Sequence, residues 1–296
     1  MPLVGIQYIW LKMDTHKGYP YEKQGKNMIE ALQFEFVQHA LLAGILVSFS
    51  AGIIGSLIVV NRMVFLAGGI AHSSYGGIGM AVYFGFPIFF GASIFAVLSA
   101  LIIAQLTLKN RHRMDTFIGL VWAVGMSIGV IFIDLTKGYN VDLMSYLFGS
   151  ILAVSQQDLY FMGGLLALIL FIITFWYRDI LAVSYDSQYA GLRGVNVNFF
   201  YRLILVLSAL TVVIAIKVVG LILVIAMLTI PVYIAEKISH SLLGMMFLSG
   251  AIATFFTIMG LWFSYSYDLT SGASIILVST GFLVIFLGFN SRIFTH

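Results

Sequence analysis

Apolar runs of roughly twenty residues recur from Val37 to the C-terminal end, with only short polar punctuation between them. A bilayer core takes about 20 apolar residues per helix. Inside it a backbone satisfies its polar groups only by staying helical or by closing a barrel. The runs 37–60, 63–84, 87–108, 115–135, 158–178, 199–216, 218–236, 242–264 and 271–290 therefore predict nine crossing helices. A tenth run, VDLMSYLFGSILAV at 141–154, has 14 residues, too few to cross at a rise of about 1.5 Å per residue. It reads as a short re-entrant or interfacial helix. The expected fold class is all-α: a polytopic membrane protein of about nine transmembrane helices plus that short one.

Of the 296 residues, 61% are hydrophobic and 9% charged, against roughly a quarter charged in soluble domains. The net charge of +3 is dispersed along the chain, so no basic patch supports nucleic-acid binding. Cysteine is absent, and a metal ion meeting this chain would find nitrogen and oxygen donors only. Residues 1–36 read as an N-terminal tail, 37–290 as the membrane domain and 291–296 as a C-terminal tail. Met28 stands directly before IEALQFEFVQHALLAGILVSF, which gives the expectation that translation starts there and that 1–27 are a non-native extension.

Lysine and arginine gather in cytoplasmic loops. With the end of the first span inside, Arg62, Lys109, Arg111, Arg113, Arg178, Arg193, Arg202, Lys237 and Arg292 all fall inside and only Lys137 and Lys217 outside. This predicts an outer N-terminus and a cytoplasmic C-terminus, and it holds only if 141–154 does not cross. The longest polar interruption, 177–202, is then the one sizeable cytoplasmic surface, where a partner would dock.

Within the span 63–84 lies GGIAHSSYGG, with one imidazole, His72, on a glycine stripe of Gly68, Gly69, Gly76 and Gly79 at helical spacing. Glycine stripes bring helices close in membranes. Two readings stay open: His72 bonds a neighbouring helix across a tight seam, or it lines a path and transiently ligates a cation with Ser73 or Ser74. One imidazole holds an ion weakly, and weak holding suits passage. Pro231 interrupts the helical ladder of its span and is a candidate kink or gate. Asp115, Asp134, Asp142, Asp158 and Asp268 fall at segment ends and read as caps or loop charges, with Asp134, Asp268 and His39 able to attract a cation at the outer face. His16, His112, His240 and His296 read as solvated. There is no G-x-x-x-x-G-K-[ST] motif, nor H-E-x-x-H, nor G-x-S-x-G, so nucleotide splitting, intramembrane proteolysis and lipid hydrolysis lack their usual machinery.

LLAGILVSFSAGIIGSLIVVNRMVFLAGGIAHSSYGGIGMAV, DTFIGLVWAVGMSIGVIF, DLMSYLFGSILAVSQQDL, SYDSQYAGLRGVNV and VVGLILVIAMLTIPVYIAEKI resemble, in this order, segments of the permease subunits of bacterial manganese, zinc and iron uptake ABC transporters. The resemblance covers residues 37–290. It implies an architecture similar to vitamin B12 and siderophore importer permeases, a homodimer in the bacterial inner membrane, a separate cytoplasmic ATP-binding subunit that hydrolyses the ATP, and an external solute-binding protein. No cofactor belongs to this chain, which is not itself an enzyme. By resemblance, Asp186, Ala190, Gly194 and Val195 lie in the ATPase-coupling segment, His72 is a metal ligand, and Ser73, Ser74, Gly76 and Pro231 line or gate the path. The family commonly reads G-D-A-x-S-H where this chain runs Ala67, Gly68, Gly69, Ile70, Ala71, His72. The acid is thus replaced by Gly68, and an imidazole without a carboxylate leans towards zinc rather than manganese. A stand-alone secondary transporter is the alternative; such proteins usually place acids or broken helices at mid-membrane, and no Asp or Glu lies mid-span here. An intramembrane enzyme built on His72 would lack partner residues.

Overall fold

A computed structural model describes residues 34–108, 113–136 and 149–291. They fold into α1 (Glu35–Val60), α2 (Val64–Phe84), α3 (Ile88–Thr107), α4 (Met114–Leu135), a 3-10 turn at Ile151–Ala153, α5 (Gln156–Tyr185), α6 (Ser187–Leu192), α7 (Val197–Val219), α8 (Val224–Ile238), α9 (Leu242–Tyr267) and α10 (Ser271–Ser291). Seven of these, α1, α3, α4, α5, α7, α9 and α10, are long and apolar enough to cross a membrane. The predicted tails fall mostly outside the described residues, as do 141–148 of the short helix expected at 141–154, whose described remainder holds only the 3-10 turn, and Lys109, Arg111, His112, Lys137, Asp142 and Arg292.

Local chemistry explains the boundaries. Gly85, at φ 75, closes α2, and Pro87 stands directly before α3. Ser155 caps α5 by accepting from the Asp158 N–H while the Asp158 carboxylate accepts from the Ser155 N–H, a reciprocal capping box. Asp186 caps α6, Asn196 caps α7 and Ser241 caps α9. Asp268, at φ 54, ends α9.

The run 218–236, expected to be one span, is divided differently. Gly220, at φ 88, terminates α7 at Val219, a turn follows, and α8 starts only at Val224. With 15 residues, α8 is about 22 Å long, short of a hydrocarbon core about 30 Å thick. In contrast, α5 outruns its expected 158–178 by a turn and more, reaching 30 residues with a kink at Trp176.

Helix α7 runs through the middle and touches α1, α2, α3 and α5. On one side α2 packs on α3 and α4; on the other α1 packs on α8 and α9, with α10 behind α9. Lipid tails are as apolar as leucine, so close packing and interhelical hydrogen bonds hold such a bundle. The α1–α9 seam carries both. Gly52 and Gly250 bring the two backbones into contact, Ser249 donates to the Gly52 carbonyl at 2.9 Å, and the Ser48 and Thr257 hydroxyls bond at 3.0 Å. Between α3 and α7, Thr107 and Tyr201 bond at 2.7 Å.

Candidate functional site

Helix α2 is enclosed by α3, α4, α7 and α8. From Leu66 to Gly79 every residue is buried except His72, which is partly exposed. Its surroundings follow from the glycines. A Cβ at Gly69 would strike the Ile118 side chain, one at Gly76 would meet the Gly125 carbonyl at 2.8 Å, and one at Gly79 would run into the backbone of Gly129. Helices α2 and α4 can approach this closely only without side chains along the seam. The approach lays the His72 ring flat on the Trp122 indole, with centroids 4.3 Å apart and planes at 9°. The His72 Nδ1 is the one buried side-chain nitrogen or oxygen among the described residues with no hydrogen-bond partner. Buried polar atoms are almost always paired. An imidazole nitrogen so left keeps its lone pair or its N–H uncommitted.

The other path candidates spread around α2. Ser73 is buried against Gly125 and donates to the Ile70 carbonyl at 3.0 Å. Ser74, also buried, donates to the Ala71 carbonyl at 2.6 Å and lines a narrow cleft towards α3 and α7. Gly76 sits in the α4 seam. Pro231 is buried in α8, which continues through it. The Ile225 side chain of α8 fills the space beside Gly68, its Cγ1 3.1 Å from where a Cβ would stand. No three His, Asp or Glu side chains gather into a metal-binding group among the described residues.

The predicted partner surface takes a definite shape. Asp186 Oδ1 accepts from the Gln188 and Tyr189 N–H groups at 3.1 and 2.9 Å, starting the single turn-and-a-half of α6. Ala190 is fully buried and anchors it. Gly194, at φ 81, turns the chain back, and Val195 packs against the core. Tyr189 and Leu192 project, Leu192 with 89% of its surface free. Beside this knob a cavity of about 640 Å³ opens, lined by Asn61, Arg62, Ser184, Glu236 and His240 among others. Arg62, Arg202, through its bond to Gln105, and the α6 turn thus share one end of the bundle. The ion pair of Lys217 with Asp158, 3.3 Å apart, joins the opposite ends of α7 and α5.

Residues 33–290 match the model of the ABC 3 transport family. The chain belongs to that family. An uncharacterised membrane protein of Synechocystis is 47% identical over 88% of this chain and 93% of its own length. A protein of Listeria innocua named as a manganese transport system membrane protein is 33% identical over 87% of this chain and 91% of its own. Among solved structures, PsaBC from Streptococcus pneumoniae in complex with Fab superposes with a TM-score of 0.78 at 34% identity, covering 87% of this chain and 93% of that one. A metal-chelate type ABC transporter in an inward-facing conformation gives 0.68 at 15% identity, with 96% and 98% covered, a likeness of fold. The resemblance read from the five sequence segments is therefore to the right family.

Trp122 escaped the sequence reading. Tryptophan in membrane helices concentrates at the interfaces, yet Trp122 is the ninth residue of the 22-residue α4. That misplacement was a readable signal.

Proposed function

We propose that this chain is the membrane-spanning permease of an ATP-driven importer of divalent transition metal ions. It works as a homodimer, with a separate cytoplasmic ATP-binding subunit on α6 and an external solute-binding protein at the opposite mouth. The observation that carries the reading is His72: the one opening in the buried run of α2, bearing the one unpaired buried nitrogen among the described residues. The opening lies on the outer surface of a single chain, beside the exposed face of α4, so a second copy across it would turn a lipid-facing groove into an enclosed path. Membership of an ABC family supports the ATPase partner, and the Listeria relative's name supports the cargo class. That relative favours manganese, while an imidazole without a carboxylate favours zinc.

In this reading α2 joins the seven apolar helices as a crossing, and the short α8 completes a ninth together with the apolar turn at 220–223 before it. The basic end carrying Arg62, Arg202 and α6 faces the cytoplasm, with the N-terminus outside. Closure of the ATPases moves α6. Asp186 and Gly194 shape it, Ala190 and Val195 transmit its displacement to the core, and the short, proline-bearing α8 with Pro231 gives way beside α2. Ser73, Ser74 and Gly76 shape the wall next to His72.

The test is His72→Ala in cells lacking the native copy. Uptake of radioactive manganese and zinc should fall to background, with the amount of chain in the membrane and its copurification with an ATPase unchanged. Unchanged uptake removes His72 from the path.

A further inference from the structure

A metal-ligating histidine is ordinarily aimed by a hydrogen bond. The ring nitrogen away from the ion donates to a carboxylate, a backbone carbonyl or a water, which fixes the ring and strengthens the ligand. His72 has no such bond: among the described residues nothing pairs with either of its nitrogens, and Nδ1 is shut in while Nε2 is not. The ring is nevertheless placed. The Trp122 indole lies flat along it, with centroids 4.3 Å apart and planes at 9°. The indole is itself tied down, because its Nε1–H donates to the Met126 Sδ, one turn on in α4, at 3.0 Å. With its one donor engaged by its own helix, Trp122 offers α2 only a face. The glycine seam sets the spacing of the two rings. A Cβ on Gly125 would stand 2.6 Å from the Ser73 Cα, so the α2 and α4 backbones touch one residue from His72 and three from Trp122.

We propose that Trp122 is a positioning residue for the metal ligand: it stands in for the missing hydrogen bond, holding the His72 ring in one plane with its Nε2 edge free. This rests on the reading of His72 as a transient cation ligand. The lone pair of an imidazole nitrogen lies in the ring plane, so an ion approaches edge-on. The indole covers a face, leaves the edges alone and stops the ring from turning about its Cβ–Cγ bond. A hydrogen-bonded partner would also tighten the site, commonly by about 10- to 100-fold in metal affinity, whereas a stacked ring supplies aim alone. That combination suits passage, where an ion must leave as readily as it enters. It also gives a reason for a tryptophan in the interior of α4 rather than at a membrane interface. Trp122 keeps 36% of its surface open, so the bundle does not depend on it as a filler of its core.

The experiment measures uptake of radioactive manganese and zinc in cells lacking the native copy, per tagged chain in the membrane. Trp122→Leu keeps apolar bulk and loses the flat face; it should raise KM about two- to tenfold, the range to which the worth of a stacked pair converts, with Vmax within about twofold of the parent. Trp122→Phe still presents a ring and should hold KM within about twofold. Equal KM in the two variants, or a loss confined to Vmax, overturns the proposal. A second measurement reads the stack itself. The chain has four tryptophans, and replacing Trp10, Trp176 and Trp262 by Phe leaves Trp122 as the single emitter in detergent-purified protein. Zinc should change its fluorescence saturably, and His72→Gln should abolish the change. Should Trp122→Leu fail to accumulate, this titration decides alone: emission unmoved by zinc, in a chain that imports the metal, overturns the proposal. A parent chain that takes up neither metal, or a His72→Ala variant that still transports, strikes instead the reading of His72 on which the proposal rests.

Discussion

Gly79→Ala offers a direct measure of the seam that presents His72. A methyl built on Gly79 would stand 2.7 Å from the Gly129 Cα and 2.9 Å from its carbonyl carbon, whereas comfortable carbon contacts are about 3.5–4.0 Å. Both neighbours are backbone, so no side chain can swing aside, and α2 and α4 must separate by about 1 Å. Overpacking of this kind costs about 1–3 kcal/mol, and an unyielding backbone puts it near the top of that range. Alanine also gains up to about 1 kcal/mol over glycine in helix propensity, which would blur the sign. Gly119→Ala on the exposed side of α4, where a methyl meets nothing within 4 Å, carries the same gain without the clash. The difference between the two variants isolates packing at about 3 kcal/mol. At about 2–4 °C per kcal/mol for a chain of this size, Gly79→Ala should unfold about 6–12 °C below Gly119→Ala. Thermal unfolding of detergent-purified protein, followed by loss of the monodisperse peak, reads the difference. Equal midpoints would refute the claim that α2 and α4 touch along their glycines. The same shift should displace the His72 ring from Trp122, so metal uptake should fall with stability in Gly79→Ala and hold in Gly119→Ala.

Two further outcomes follow from the packing. Because the chain has no cysteine, Leu192→Cys provides a single thiol on the protruding end of α6. An impermeant maleimide should label it in inverted membrane vesicles and not in intact cells, and labelling in intact cells would reverse the orientation. Ser249→Ala removes the bond to the Gly52 carbonyl and a longer one to Ser56 at 3.3 Å. At about 0.6 kcal/mol for an average interhelical bond in a membrane, the expected loss is about 1 kcal/mol. That places its unfolding midpoint between the parent and Gly79→Ala.

Much of this was legible in the residues because lipid leaves the backbone few choices. The runs 37–60, 63–84, 87–108 and 115–135 emerge as α1 to α4 within one or two residues of their expected ends. The α6 turn stood out within the longest polar interruption, and Asp158 and Asp268 stand at helix ends as the caps their place at segment ends implied. A break between α7 and α8 was expected at Lys217, but its place at 220–223 was not legible, because Leu221, Ile222 and Leu223 in the turn are as apolar as the helices they join. Only Gly220, with its positive φ, marks the stop. Nor could the sequence pair His72 with Trp122 or Lys217 with Asp158, since both contacts depend on which helices become neighbours. Periodicity along one helix carries no information about its partner across a seam.

Helix α2 shows what that gap costs a reading by hydropathy alone. It is 21 residues long, yet it is not among the seven helices apolar enough to count as spans, because glycine, serine and histidine dilute it. The same residues require its position. Glycines without side chains can be covered only by close neighbours, and the buried Ser73 and Ser74 hydroxyls find their own helix's carbonyls rather than lipid. Such a helix is stable in a membrane only when other helices shield it, and α3, α4, α7 and α8 do so. A weakly apolar segment inside a strongly apolar chain therefore marks the interior. His72 is the one residue from Leu66 to Gly79 that this shield leaves partly open. An imidazole so placed has its Nδ1 free of any hydrogen bond from the protein while part of the residue stays outside the shield.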